Sequence, residues 1–66
     1  MLITINGAKE ELDDGITLLG YIESIGLDPM AVVAELNLEI VEAKDFADIR
    51  LAPDDSLELL HFVGGG

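Results

Sequence analysis

The runs of apolar positions at the two ends of this chain predict strands more clearly than those between them. Met1-Leu2-Ile3-Thr4-Ile5 is rich in β-branched residues and runs into Asn6-Gly7. That dipeptide suits a type I′ turn, which needs positive φ at both central residues, so a hairpin is expected with residues 8–13 returning and Leu12 as their main apolar contact. Asp13-Asp14-Gly15 reads as a turn. Helix follows: Thr17 can cap free N–H groups, and Ile16 with Tyr21 fits a hydrophobic staple. Leu18, Ile22 and Ile25 fall at i, i+4 and i+7 and predict one buried stripe. Gly26 at the C′ position and Pro29 shortly after end the helix, while Gly20 inside it costs about 1 kcal/mol relative to Ala.

Val32-Val33-Ala34-Glu35-Leu36 predicts a third strand, Asn37 a turn, and residues 38–41 a further extended segment. Asp45 to Ile49 suits a helical turn, and Pro53-Asp54-Asp55 a turn into a last strand over residues 56–63. Along that strand, period-2 parity puts Leu57, Leu59, His61 and Val63 on one face and Glu58, Leu60 and Phe62 on the other. If the helix covers the first set, Leu60 and Phe62 form an exposed apolar pair, a candidate docking patch. The periodicity supports an α+β fold: one domain over residues 1–63, then a glycine tail, Gly64-Gly65-Gly66, expected to be flexible.

Composition narrows what such a domain can do. Its 66 residues leave room for one modest core, and with no cysteine and a single His61 neither disulfides nor an N/S metal site can brace it. Fourteen Asp and Glu against three Lys and Arg give a net charge of −11, which disfavours nucleic acid and anionic membrane surfaces and favours partners with basic docking surfaces. The N-terminus lacks a signal-peptide pattern and no apolar run approaches a membrane span, so a soluble cytoplasmic protein is expected.

Enzyme machinery is hard to find. His61 has no serine or cysteine beside it to activate, the acidic pairs sit in turns, and the glycines do not form a phosphate loop. No catalytic residue and no metal ligand set is expected. The tail is the exception: without β-carbons it is narrow enough to thread into another protein's active site, and its terminal carboxylate is unhindered. A carboxylate becomes a good electrophile only once its oxygen can leave, so a nucleotide-using partner is required.

Three stretches in this order, Ile5-Asn6-Gly7, Val33-Ala34-Glu35-Leu36-Asn37 with Ile40-Val41, and His61-Phe62-Val63-Gly64-Gly65-Gly66, resemble the ThiS family of thiamine-pathway sulfur carriers. The likeness spans essentially the whole chain. It implies a ubiquitin-like β-grasp fold, a mixed sheet of about four to five strands crossed by one main helix. It also implies that the chain is no enzyme and binds no cofactor, but is a co-substrate of an E1-like adenylyltransferase of the ThiF type. That enzyme would use ATP and Mg²⁺ to adenylate Gly66, with Gly64, Gly65 and Gly66 threaded into its site. Sulfur from a donor such as a cysteine desulfurase would then give a thiocarboxylate, used by a thiazole synthase of the ThiG type. Many members carry Pro-Arg where this chain has Glu42-Ala43, and Gly-Asp where it has Asp54-Asp55. The small subunit of molybdopterin synthase, or another cofactor sulfur carrier, shares these features and is the alternative. A ubiquitin-like modifier or plain interaction module is a second.

Overall fold

A computed structural model describes residues 1–62. Strands β1 (Leu2–Ile5) and β2 (Ala8–Glu11) form the N-terminal hairpin, followed by helix α1 (Leu18–Ser24) and a 3₁₀ helix over Pro29–Ala31. Strands β3 (Val32–Leu36) and β4 (Glu39–Val41) make a second hairpin, and a second 3₁₀ helix (Ala43–Asp48) precedes β5 (Ser56–His61). The five strands lie in the order β2-β1-β5-β3-β4. β5 runs parallel to β1 and antiparallel to β3, so the last strand in sequence is the middle strand in space. This is the mixed sheet and single main helix expected of a β-grasp.

Local chemistry explains most element ends. Asn6 and Gly7 take φ of 49° and 83°, the positive values that the first hairpin turn requires. Asn37 and Leu38 take 50° and 72°, so the second hairpin also closes through a two-residue turn, and Leu38 belongs to that turn rather than to the extended segment expected there. Helix α1 begins where the Thr17 hydroxyl accepts from the Gly20 N–H at 3.0 Å. A β-carbon at position 20 would stand 3.1 Å from that hydroxyl, so the glycine that weakens the helix also makes room for its cap. Residues 49–51 brace the same end: Leu18 N–H donates to the Ile49 carbonyl at 2.8 Å and Leu51 N–H to the Ile16 carbonyl at 2.9 Å.

The core lies between α1 and one face of the sheet, built from Ile3, Ile5, Leu18, Tyr21, Ile22, Val32, Ala34, Phe46, Leu51 and Leu57. One expected stripe residue differs. Ile25 is 45% exposed, whereas Tyr21 is buried. Helix α1 stops at Ser24, and Ile25 is its C-cap, past the last helical turn, with φ −94° and ψ 8°. Tyr21 keeps its hydroxyl satisfied by donating to Glu10 Oε1 at 3.3 Å. The helical turn expected over residues 45–49 is the 3₁₀ helix Ala43–Asp48, which delivers Phe46 to the core.

Candidate functional site

Helix α1 covers one face of the sheet and leaves the other open. Leu57 is fully buried and Leu59 packs against the core, while Glu58 and Leu60 point away. Leu60 is 59% and Phe62 is 54% exposed. Parity along β5 thus sorts the faces as expected, except that His61, on the covered side by parity, is exposed at the strand end. Val63, Gly64, Gly65 and Gly66 lie outside the described residues.

Strand register adds neighbours that parity in β5 alone does not reveal. Val33 sits opposite Leu60, so an apolar cross-strand pair lies beside Phe62. One step further from the C-terminus, Glu35 sits opposite Glu58, and Ile40 of β4 opposite Glu35. Like charges directly opposite on antiparallel strands repel. Among the described residues the ion pairs join the Met1 ammonium to Glu11 and Asp14, and Lys44 to Glu42, so neither Glu35 nor Glu58 has a cation of this chain against it. The open face therefore carries an apolar end next to the C-terminus, an acidic middle and an apolar edge at Ile40.

The strand bearing this face is firmly tied. Leu59 N–H donates to Asn6 Oδ1 at 2.8 Å, and Phe62 N–H to the Ala31 carbonyl at 2.8 Å. Backbone bonds thus continue to the last described residue, immediately before residues 63–66.

Little else offers chemistry. Among the described residues no group of three or more His, Cys, Asp or Glu is placed to hold a metal ion, and no helix is long and apolar enough to cross a membrane. A pocket of about 220 Å³ is lined by Leu2, Ile3, Thr4, Lys9 and Asp54, with no histidine or cysteine among them. Two groups titrate unusually, both for structural reasons. Burial and the nearby Glu10 carboxylate raise the Tyr21 phenol, and a hydrogen bond to Glu11, aided by Asp14, raises the N-terminal ammonium.

Comparison with known proteins gives consistent matches. The sequence model of the ThiS family matches residues 2–66. A thiazole synthase of Magnetococcus marinus is 35% identical over 66 residues, covering all of this chain and 20% of that protein. The sulfur carrier protein ThiS of Bacillus subtilis is 33% identical over 67 residues, covering 98% of this chain and all of that protein. The chain therefore spans a fifth of the thiazole synthase and the full length of the Bacillus protein. Among solved structures, the crystal structure of a thiamine biosynthesis protein (ThiS) from Geobacter metallireducens superposes with a TM-score of 0.83 at 28% identity, covering all of both chains.

Proposed function

The chain belongs to the ThiS family, and from that premise we propose that it is a sulfur carrier of thiamine biosynthesis whose working group is the carboxylate of Gly66. The observation that carries this reading is the placement of β5. It is the middle strand, it is bonded as far as Phe62, and it leads directly into Val63-Gly64-Gly65-Gly66 with Leu60 and Phe62 exposed alongside.

In the proposed cycle an E1-like adenylyltransferase of the ThiF type docks on Leu60 and Phe62 and draws Gly64, Gly65 and Gly66 into its site. A Gly66 carboxylate oxygen attacks the α-phosphorus of ATP, held with Mg²⁺ by that enzyme, and pyrophosphate leaves. A sulfur nucleophile derived from a cysteine desulfurase then attacks the acyl carbon and releases AMP. The acyl–S–S–donor bond so formed is cleaved by a thiol that forms a disulfide with the donor's sulfur, and the terminus leaves as a thiocarboxylate, with sulfur in place of one oxygen. The absence of cysteine fits this scheme, because the terminal carbonyl carries the sulfur and no thiol competes for it. Thiazole synthase is the proposed acceptor, and relatives that bear that name favour the thiamine route over a molybdopterin one. The need for ATP fits a cytoplasmic site of action.

Incubating the full chain with the activating enzyme, ATP, Mg²⁺ and a sulfur donor should give the mass change of one oxygen-to-sulfur exchange. Deleting Gly66, or adding a residue after it, should abolish that change and leave the melting temperature unaltered. A wild-type chain that never forms an acyl-adenylate would overturn the proposal.

A further inference from the structure

The turn between β3 and β4 is unusual for its second residue. Leu38 holds φ at 72°, a left-handed conformation that favours glycine or asparagine and strains a bulky side chain. Its side chain is 90% exposed and takes no part in the core. Within the chain, position 38 would thus be better served by glycine on both counts. The turn is also held firmly: Asn37 Oδ1 accepts from the Ser56 N–H at 2.9 Å, and Asn37 Nδ2 donates to Asp55 Oδ1 at 2.9 Å. An apolar side chain on a rigid tip suits binding, because little order is lost when a partner takes it.

Position on the sheet gives this tip a second meaning. Leu36 pairs with Leu57 and the Asn37 N–H donates to the Ser56 carbonyl, so Leu38 stands at the start of β5. Phe62 stands beyond the other end, about 20 Å away at the usual rise per strand residue. Between them on the open face lie Glu35, Glu58 and, at the β4 edge, Ile40. A body that grips both ends must span the open face and meet those carboxylates. A second copy of this chain, at −11, or an anionic lipid surface would be repelled. A protein with an apolar pocket rimmed by Lys or Arg complements it.

We propose that Leu38 is a partner anchor remote from the tail, taken by a basic-rimmed apolar pocket on the thiazole synthase that accepts the sulfur. This rests on the carrier reading above. The choice of occupant follows from the charge of the face and from relatives named thiazole synthase that contain a segment matching this entire chain.

The test is titration of the full chain and its Leu38→Asn variant into purified thiazole synthase, with thermal melts of both. Asparagine tolerates the left-handed turn, so the melting temperature should hold or rise. Affinity should fall about tenfold, the effect of withdrawing one leucine from a pocket. Leu38→Met, which restores an apolar side chain at the same φ, should recover most of the affinity. Equal affinity of wild type and Leu38→Asn overturns the anchor while leaving the carrier reading intact, provided the wild-type chain still acquires sulfur in the mass assay. A wild-type chain that neither acquires sulfur nor binds overturns both. Wild-type dimers dispersed by Leu38→Asn would identify a second copy as the occupant and overturn the proposal.

Discussion

Leu57 and Leu60 lie on one strand, three residues apart, yet alanine at the two positions should act on different properties. Leu57 is 0% exposed within the core, so Leu57→Ala leaves a cavity and should cost about 2–5 kcal/mol. A chain of this length holds roughly 3–10 kcal/mol in all, so that single change removes a large share of the stability. Leu60 keeps only about two-fifths of its surface from water, and full burial of a leucine contributes about 1.5–3 kcal/mol. Leu60→Ala should therefore cost folding only about 0.6–1.2 kcal/mol, with no enclosed cavity. The remaining three-fifths is what a partner would cover, contributing about 1–2 kcal/mol, or roughly five- to thirtyfold in affinity. Urea unfolding of both variants reads the first quantity, and calorimetric titration with the activating enzyme reads the second. Equal losses of stability would show that both side chains support the core and that the faces of β5 are wrongly assigned. Undiminished affinity in Leu60→Ala would remove Leu60 from the docking surface.

Two further outcomes follow from the termini of the elements. The N-terminal ammonium is raised above its ordinary 8.0, chiefly by Glu11, and Tyr21 above its ordinary 10.0, chiefly by burial, so the folded state holds both protons more tightly than the unfolded chain. Their contributions are complete below those ordinary values and are lost as pH rises through the folded ones, so melting temperature should decline in two stages above pH 8, the first flattened in Glu11→Gln. Thr17→Ala removes the acceptor for the Gly20 N–H and should cost about 1 kcal/mol, a drop of roughly 4–8 °C in melting temperature; an unchanged melt would mean that the pairing of residues 49–51 alone holds that end.

Features governed by neighbours in sequence were legible before the structure. Asn6-Gly7 announces its turn because few residues accept positive φ twice in succession, and Thr17 with Gly26 brackets the helix through local hydrogen bonds and backbone freedom. Parity along the last strand separated Leu57 from Leu60 without any knowledge of the partners of β5. What depended on distant segments was not legible. Tyr21 rather than Ile25 fills the core because Ile25 is only the helix C-cap and Glu10 of β2 stands ready to accept the phenol. Val33, Glu35 and Ile40 join Leu60 and Glu58 only through the register of β3 between β4 and β5, which no local pattern encodes. Leu38 escaped notice because leucine next to a strand reads as strand, and only the observed φ shows the turn.

The same register bears on when the proposed carrier becomes competent. β5 fills the gap between β1 and β3, and its pairings with β1 join residues more than fifty positions apart. Contacts of such separation close late, after the local hairpins and the helix can form. Until β5 is placed, the β1–β2 hairpin has no hydrogen-bonded link to β3 within the sheet, and Leu57 is missing from the core. The segment that completes the fold is thus the one that leads to Gly66 and displays Leu60 and Phe62. An incompletely folded chain would carry the same glycines but would not present Val33 beside Leu60, nor Leu38 on its rigid turn. An activating enzyme that requires the open face as well as the tail would therefore charge folded chains in preference to unfolded ones. Comparing adenylation of the intact chain with that of a peptide spanning residues 56–66 measures this directly. Comparable rates would show that the tail alone suffices and that the face plays no part in recognition.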